Sequence, residues 1–381
     1  MNDFIIIGAG PSGLYCSYLL SPQYTVLVLE ANDYIGGRMQ QTQFHGVTVQ
    51  LGAGVIRKSD KDILKLVKVL GLEVNNFTSS SKVAIEGYDK KWYNENLCKL
   101  KWKKNKSMNE ILNEHFKTSE EKKTFVDSGM YTDYLKADSY MTIKYYPIGD
   151  MYKKASSLCA IKGGYYKLVT ALAKSQKGKI ILKSKVSTVI KENNGTVCVV
   201  TSDNKKFYAK HVICCIDLNG LKHIQFIPKV KSVEYLKKVI GINNFARLYT
   251  YHSNVDLDNS IIVSSFLKNV IPISDKVVMS GYCDNNNAKK LKKYIEENRD
   301  LTNLINKSIK GFGSLSEVKD VLFQYWNVGT HYYKPGYVYK NDFFIEDNIS
   351  IVGEMVAEDQ GWTNGAIKSI NNWYNAMFNQ S

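Results

Sequence analysis

The chain predicts an α/β protein: a Rossmann-like dinucleotide-binding domain with a GxGxxG loop, plus a discontinuous α+β domain for substrate. Three observations lead there. Residues 3–7 form a short apolar run that reads as a buried strand, and Gly8-Ala-Gly10-Pro-Ser-Gly13 follows at once, ahead of the apolar stretch 14–20. A second apolar run, 24–29, ends in Glu30, seventeen residues after Gly13. The third is length: 381 residues exceed the size at which a single core stops growing, so two domains are expected.

Each residue of the first unit has a physical task. Gly8 permits the tight turn out of the strand, Gly10 lets a pyrophosphate approach bare backbone, and Gly13 lets the helix pack close to the strand. The N–H groups and dipole of the helix start then hold phosphates. Glu30 accepts hydrogen bonds from a ribose, and a carboxylate there argues against a 2′-phosphate, hence against NADP. A lone GxGxxG is weak. Between a strand and a helix, with an acid at this distance, it is strong.

Gly36-Gly37-Arg38 follows the acidic residue. With Glu30 it resembles the flavin-containing amine oxidase superfamily, which includes monoamine, polyamine and L-amino acid oxidases. The resemblance implies FAD rather than NAD, with Arg38 approaching the phosphates.

In chain order, residues 42–51 alternate as a hairpin with His45-Gly46 as its turn. Leu51-Gly-Ala-Gly54 comes next, and in the family such a segment passes beside the isoalloxazine ring, where small residues let backbone reach a flat surface. Ser59-Asp-Lys-Asp62 reads as a capping box opening a helix with Ile63, Leu64, Val67 and Leu70 on one face, ending at Gly71. Residues 75 to about 155 turn polar, Lys-rich and Tyr-rich, with helical stretches at 108–116 and 120–126 and no nucleotide motif. The family carries a helical insertion there. Gly163-Gly164 then precedes an amphipathic helix at 166–174. Strands are expected at 180–182, 185–191, 197–201, 207–209 and 211–216, with Asn194-Gly195 as a type I′ hairpin turn. Val186 stands where the family contacts adenine through its backbone.

Residues 245–251 alternate, placing Phe245, Arg247, Tyr249 and Tyr251 on one face. Family amine oxidases have a lysine, aligned here with Arg247, that holds a water against flavin N5. Arginine in so lysine-rich a chain is a departure, because it is always charged and forks two donors toward a carboxylate. Arg247 is thus a candidate for binding an acidic substrate group or stabilising reduced flavin, against the alternative of a structural salt bridge. Residues 317–325 lead into Trp326-Asn-Val-Gly-Thr-His-Tyr-Tyr-Lys-Pro-Gly336. Family members often draw one wall of an aromatic cage from this segment, which suggests Tyr332 or Tyr333. Covalent members attach FAD through a cysteine here; none is present, so non-covalent flavin is expected. His331 reads as a structural histidine.

The end of the chain has strand 348–352, Gly353-Glu354, a loop, and Gly361-Trp-Thr-Asn-Gly-Ala-Ile367 opening a last helix to about 378. This is similar to the family's closing motif, in which the glutamate approaches the ribityl–phosphate region and the helix start faces flavin C2=O. Trp362 stands where a tyrosine usually covers the flavin face. By this resemblance FAD is held by Gly8, Gly10, Pro11, Ser12, Gly13, Glu30, Ala31, Gly37, Arg38, Gly52, Ala53, Gly54, Val55, Val186, Gly353, Glu354, Trp362, Thr363 and Ala366. Arg247, Trp362 and Tyr332 are the candidates for catalysis. The expected FAD-binding domain comprises 1–74, 155–225 and 336–381, and the substrate-binding domain 75–154 and 226–335.

The net charge is +15, with only four arginines. Such charge attracts anions and mildly repels cationic amines at long range. The lysine run 99–106 reads as a solvated face rather than a nucleic-acid site. Seven cysteines without framework spacing fit reduced thiols in a cytoplasmic compartment. No apolar run reaches membrane-spanning length, the fold begins at the first residues without a signal peptide, and no cluster has metal-ligand spacing. A homo-oligomer is left open. With one nucleotide fingerprint and no NAD(P) domain, the reaction expected is hydride transfer from a C–H next to an amine to flavin N5, reoxidation by O₂ to H₂O₂, and imine hydrolysis. Two alternatives stand beside it. One is an amino-acid oxidase binding a carboxylate through Arg57 and Arg247. The other is a flavin desaturase, isomerase or non-catalytic FAD-binding protein.

Overall fold

The computed structural model describes residues 1–77, 81–129, 131–145, 158–337 and 339–378. The boundary expected at 154/155 lies outside them. The larger sheet is built on parallel strands in the order Ile349–Ile351, Lys206–Cys214, Asn2–Ile7, Val26–Leu29 and Lys179–Ile181. Phe4 faces His211 on one side and Val26 on the other. A parallel strand is covered on both faces, so near-continuous apolar runs are what it requires. Ile5 and Ile6 point to opposite faces and belong to two different cores, both fully buried. The helix Pro11–Leu20 packs on one face against the helices Tyr166–Ser175 and Thr363–Phe378. On the other side of Lys206–Cys214, the antiparallel meander of Val186–Lys191 and Val197–Thr201 extends the sheet.

The second sheet has six strands, with Val318–Tyr333 and Ile240–His252 paired along most of their length, followed by Val277–Asp284. Its far half has its own core around Leu248, Val278 and Leu291. The helices Lys90–Lys99, Met108–His115 and Ser119–Ser128 form a separate cluster around Phe125 and Leu112. Packing distributes the region 226–335 unevenly. Helix Lys231–Val239, Ile240 and Tyr333 belong to the core of the larger sheet, and only beyond them do the two long strands enter the second core.

Four local expectations need correction. The turn after Val186–Lys191 is not type I′. Among the described residues Gly195 has positive φ and Asn194 does not, and the longer loop closes through Glu192 and Thr196. The helix Lys61–Val69 is preceded by Asp60, not capped by Ser59, and the Asp60 carboxylate goes to Arg57 instead of the helix N–H groups. The strands expected at 207–209 and 211–216 are one strand, Lys206–Cys214. The aromatic segment after 326 continues the strand Val318–Tyr333 without a break. All seven cysteines are free thiols. Among the described residues no helix is long and apolar enough to cross a membrane.

Candidate active site

The first loop is shaped by its three glycines in three different ways. Gly8 has φ of +102°, and a Cβ there would lie 2.9 Å from the Cys215 carbonyl oxygen. A Cβ on Gly13 would lie 1.9 Å from the Gly8 carbonyl oxygen, so helix and turn are in contact only because that atom is missing. At Gly10 a Cβ would meet nothing within 4 Å. Gly10 is also the N-cap of the helix, Pro11 follows it, and no side chain caps the first turn. The space above Gly10 and the uncapped helix start are what a pyrophosphate needs.

Glu30 is buried at the tip of its strand. Its Oε2 accepts the Ala9 N–H at 2.7 Å, and its Oε1 accepts the Asn32 N–H at 2.9 Å and the Asn32 amide at 2.8 Å. The carboxylate therefore ties the Gly-rich loop to the second strand. Ala31 beside it is exposed. Val186 opens the neighbouring antiparallel strand and is buried.

Gly36 donates its N–H to the Ala9 carbonyl at 2.8 Å, and Gly37 follows with φ of +52°. This turn sets Arg38. Arg38 Nη1 donates to the Gly329 carbonyl at 2.7 Å and Nη2 to Glu354 Oε2 at 2.7 Å. The Arg38 carbonyl accepts the Ala53 N–H at 3.1 Å, and a Cβ at Gly52 would lie 1.7 Å from that oxygen. One residue thereby places Gly52, Ala53 and Gly54, with Val55 next in the chain, against the nucleotide loop.

Glu354 is buried and fully engaged. Besides Arg38 it accepts His331 Nδ1 at 2.6 Å, the His331 N–H at 3.1 Å and the Gly361 N–H at 2.7 Å. Burial alone would raise its pKa; the His331 and Arg38 contacts outweigh burial and hold the carboxyl well below the usual range. His331 Nε2 accepts the Leu218 N–H at 3.1 Å. With one ring nitrogen accepting, the ring is the neutral tautomer that donates from Nδ1. Gly353 carries φ of +108°, and a Cβ there would lie 3.0 Å from Ser12 Oγ. The last motif thus closes against the first loop.

Arg247 is 6% exposed and lies beneath the segment that Arg38 fixes. Its Nη1 donates to the Gln50 carbonyl at 2.5 Å, its guanidinium lies 4.4 Å from the Tyr282 ring, and its Nε has no hydrogen-bond partner among the described residues. Gln50 also accepts the Tyr249 hydroxyl at 2.6 Å, and Leu51 accepts the Trp326 indole at 2.6 Å. Arg38 and Arg57 each have a carboxylate partner; Arg247 makes no ion pair with a described carboxylate.

Arg57 does not point toward an open site. Its Nε donates to Asp60 at 2.8 Å, its terminal nitrogens pair with Asp359, and its guanidinium stacks 4.2 Å from the Trp362 ring. The carboxylate-binding role considered for it is met by two carboxylates of the chain itself. Trp362 precedes the helix Thr363–Phe378, whose Ala366 N–H reaches the Trp362 carbonyl. Tyr332 lies across Gly241, where a Cβ would fall 2.1 Å from the ring, and burial raises its hydroxyl pKa. Its neighbour Tyr333 points into the core and donates to the Val356 carbonyl at 2.6 Å.

Sequence reasoning missed Asp359, Gln50, Trp326 and Tyr282. Asp359 and Tyr282 carry no local signal, because each meets its arginine only through the fold. The Trp326 indole is a donor that burial obliges to find an acceptor, which was readable as a need but not as an address.

Two family models match this chain: a NAD(P)-binding Rossmann-like domain over residues 6–70 and a flavin-containing amine oxidoreductase over residues 103–249. A putrescine oxidase from Kocuria rosea is 39% identical over 73 residues, 19% of this chain and 15% of its own length. A lysine-specific histone demethylase 1 homologue from Arabidopsis thaliana is 26% identical over 265 residues, 60% of this chain and 31% of its own. The matches therefore span less than a third of these relatives' length. Among solved structures, putrescine oxidase bound to putrescine superposes with a TM-score of 0.78 at 14% identity, covering 100% of this chain and 99% of that one. A cyclohexylamine oxidase from Brevibacterium oxydans gives 0.79 at 15%, covering 99% and 98%. At that identity the likeness is one of fold.

Proposed function

This chain belongs to the flavin-containing amine oxidase superfamily, with FAD as its cofactor, and from that premise we propose that it oxidises a small amine. The observation that carries the reading is the reach of Arg38. One side chain joins the turn after the ribose-binding acid to Gly329 on the aromatic strand and to Glu354 ahead of the last helix. Three motifs distant in sequence are joined by one side chain.

FAD, when bound, would supply a two-electron acceptor for a hydride from a C–H next to the amine nitrogen, with O₂ as the final acceptor giving H₂O₂ and water hydrolysing the imine. The residues of this chain position and shield that chemistry. Gly10 and the first helix turn receive the pyrophosphate, and Glu30 accepts from the ribose. Gly52, Ala53 and Gly54 leave room for a flat ring, and Arg247 holds a fixed positive charge beside them. Trp362 and Tyr332 supply aromatic walls, and the start of the last helix offers N–H groups to developing negative charge. With no cysteine in residues 326–336, non-covalent attachment is proposed, and free thiols suit a reducing compartment.

Anaerobic titration of the FAD-loaded protein with pools of amines, polyamines and amino acids tests this. Bleaching of the flavin's visible band by an amine pool, reversed by air, is expected. A yellow protein that no pool bleaches overturns the oxidase reading in favour of a desaturase, isomerase or non-catalytic role. One observation favours the amino-acid alternative: Arg247 is buried and has no carboxylate partner among the described residues. Bleaching by the amino-acid pool alone would select it.

A further inference from the structure

Five of the eight residues from 99 to 106 are lysine, and a single aromatic, Trp102, stands among them. Residues 101–105 are all exposed. A charge run alone is usually a solvated face. The second observation is the indole itself. Trp102 is 50% exposed, more than any other aromatic side chain among the described residues, whereas tryptophan is on average a highly buried residue.

The backbone holds this segment in place. Leu100 is buried in the core of the helical cluster and anchors one end. At the other, Ser139 Oγ accepts the Lys103 N–H at 3.2 Å and donates to the Lys103 carbonyl at 2.9 Å, and the Ser139 N–H donates to the Lys106 carbonyl at 2.8 Å. Lys103 and Lys106 both pair with Glu114. Lys99, Lys101 and Lys104 are exposed and make no ion pair with a described carboxylate. The segment therefore presents three uncompensated charges on either side of one indole in the chain.

Two features choose among polyanions. Single-stranded nucleic acid is held by stacking successive bases on aromatic faces. The aromatic beside Trp102 is Tyr140, T-shaped to it at 5.1 Å between centroids, and Lys144 lies over the Tyr140 ring at 5.1 Å, so Tyr140 offers a base no open platform. Every charge in the run is also a lysine, a point charge without the guanidinium fork that grips phosphates and bases in pairs. Lysines that attract at a distance, with an indole that settles at the headgroup level, are what an anionic bilayer surface takes.

We propose that residues 99–104 are a docking surface for a bilayer carrying anionic lipid, with Lys99, Lys101 and Lys104 drawing the protein to the headgroups and Trp102 entering between them. This does not depend on the chemistry of the active site.

Flotation of the FAD-loaded protein with vesicles tests it, using phosphatidylcholine alone and the same lipid with about a third phosphatidylserine, at about 0.1 M salt. Binding at least about tenfold tighter to the anionic vesicles is expected, and added salt should weaken it. The triple variant Lys99→Gln, Lys101→Gln, Lys104→Gln should bind about a hundredfold more weakly, about fivefold for each charge. A control removes the same charge elsewhere, by Lys289→Gln, Lys290→Gln and Lys310→Gln at exposed positions, and should bind as wild type does. Tryptophan emission should shift to the blue on anionic vesicles, and Trp102→Ala should abolish the shift and weaken binding about tenfold. These side chains are exposed, so all the variants should melt as wild type does. Equal binding to the two kinds of vesicle, equal losses in the two lysine variants, or wild-type binding by Trp102→Ala each overturns the proposal. So does a single-stranded oligonucleotide that binds more tightly than the vesicles and needs the same three lysines.

Discussion

Arg247 Nη1 donates to the Gln50 carbonyl at 2.5 Å, joining the middle of the long strand Ile240–His252 to the end of the hairpin that leads into Gly52–Gly54. The same carbonyl accepts the Tyr249 hydroxyl at 2.6 Å, so it stays bonded if Arg247 is removed. The buried Arg247 guanidinium has no carboxylate partner among the described residues, so its desolvation is offset only by the Gln50 carbonyl and the tyrosines beside it. Arg247→Met is therefore expected to leave the melting temperature of the FAD-free protein equal or higher. It is also expected to lower the potential of bound flavin by about 30 mV or more, ~1.4 kcal/mol for a two-electron couple. A melting temperature several degrees lower with an unchanged potential would mean that Arg247 serves only the fold.

Gly10→Ala and Gly13→Ala separate binding from folding. The Cβ at 10 meets nothing within 4 Å, whereas the one at 13 would lie 1.9 Å from the Gly8 carbonyl. Gly10→Ala is expected to fold with an unchanged FAD-free melting temperature and to retain little FAD after gel filtration. Gly13→Ala should lose ~1–3 kcal/mol or more of stability, the usual range for overpacking. Equal FAD retention by Gly10→Ala and wild type would remove the pyrophosphate from that position.

Arg57 separates a structural from a substrate-binding arginine. Arg57→Met leaves Asp60 and Asp359 without their cation, and breaking a buried ion pair on one side costs ~3–5 kcal/mol. Denaturant unfolding should show that loss. The KM for carboxylate-bearing amines should move no more than that for neutral ones. A selective rise for the acidic substrates, with stability kept, would return Arg57 to the substrate.

His211 predicts an acid limb of stability. Burial lowers its pKa from 6.5 to about 4, and its Nε2 lies 2.8 Å from Ser350 Oγ. The folded state prefers the neutral ring, so its contribution is complete above pH 6.5 and is lost as pH falls from there toward about 4. Between pH 7.5 and 4.5, wild type should lose about 2 kcal/mol more than His211→Gln. Parallel pH profiles for the two proteins would contradict this.

Much of the nucleotide half was legible because its signals are local. Strand, Gly-rich turn, helix and acidic tip lie within thirty residues, and the space each glycine needs is created by its immediate neighbours. The hairpin at His45-Gly46 was readable for the same reason, since both residues take positive φ. Two helix starts were equally readable but not used: Ser107 with Glu110 and Thr118 with Glu121 each form a reciprocal capping box. The Ser59 cap failed because a competing partner won. Asp60 had an arginine three residues before it, and a buried guanidinium is a stronger claimant than a helix N–H.

The sequence by itself pointed to a dinucleotide and to the strand, Gly-rich turn and helix expected to receive it, because backbone conformation and short-range chemistry depend on residue type within a few turns. Only the tertiary structure decided how the charged groups divide. It engaged Arg57 with Asp60 and Asp359, left Arg247 without a carboxylate partner among the described residues, and set Asn243 and Asp133 on the wall of one cavity. Those assignments join residues as far as 302 positions apart. Charge pairing in a buried site is set by distance and desolvation, and neither is written in the order of the residues.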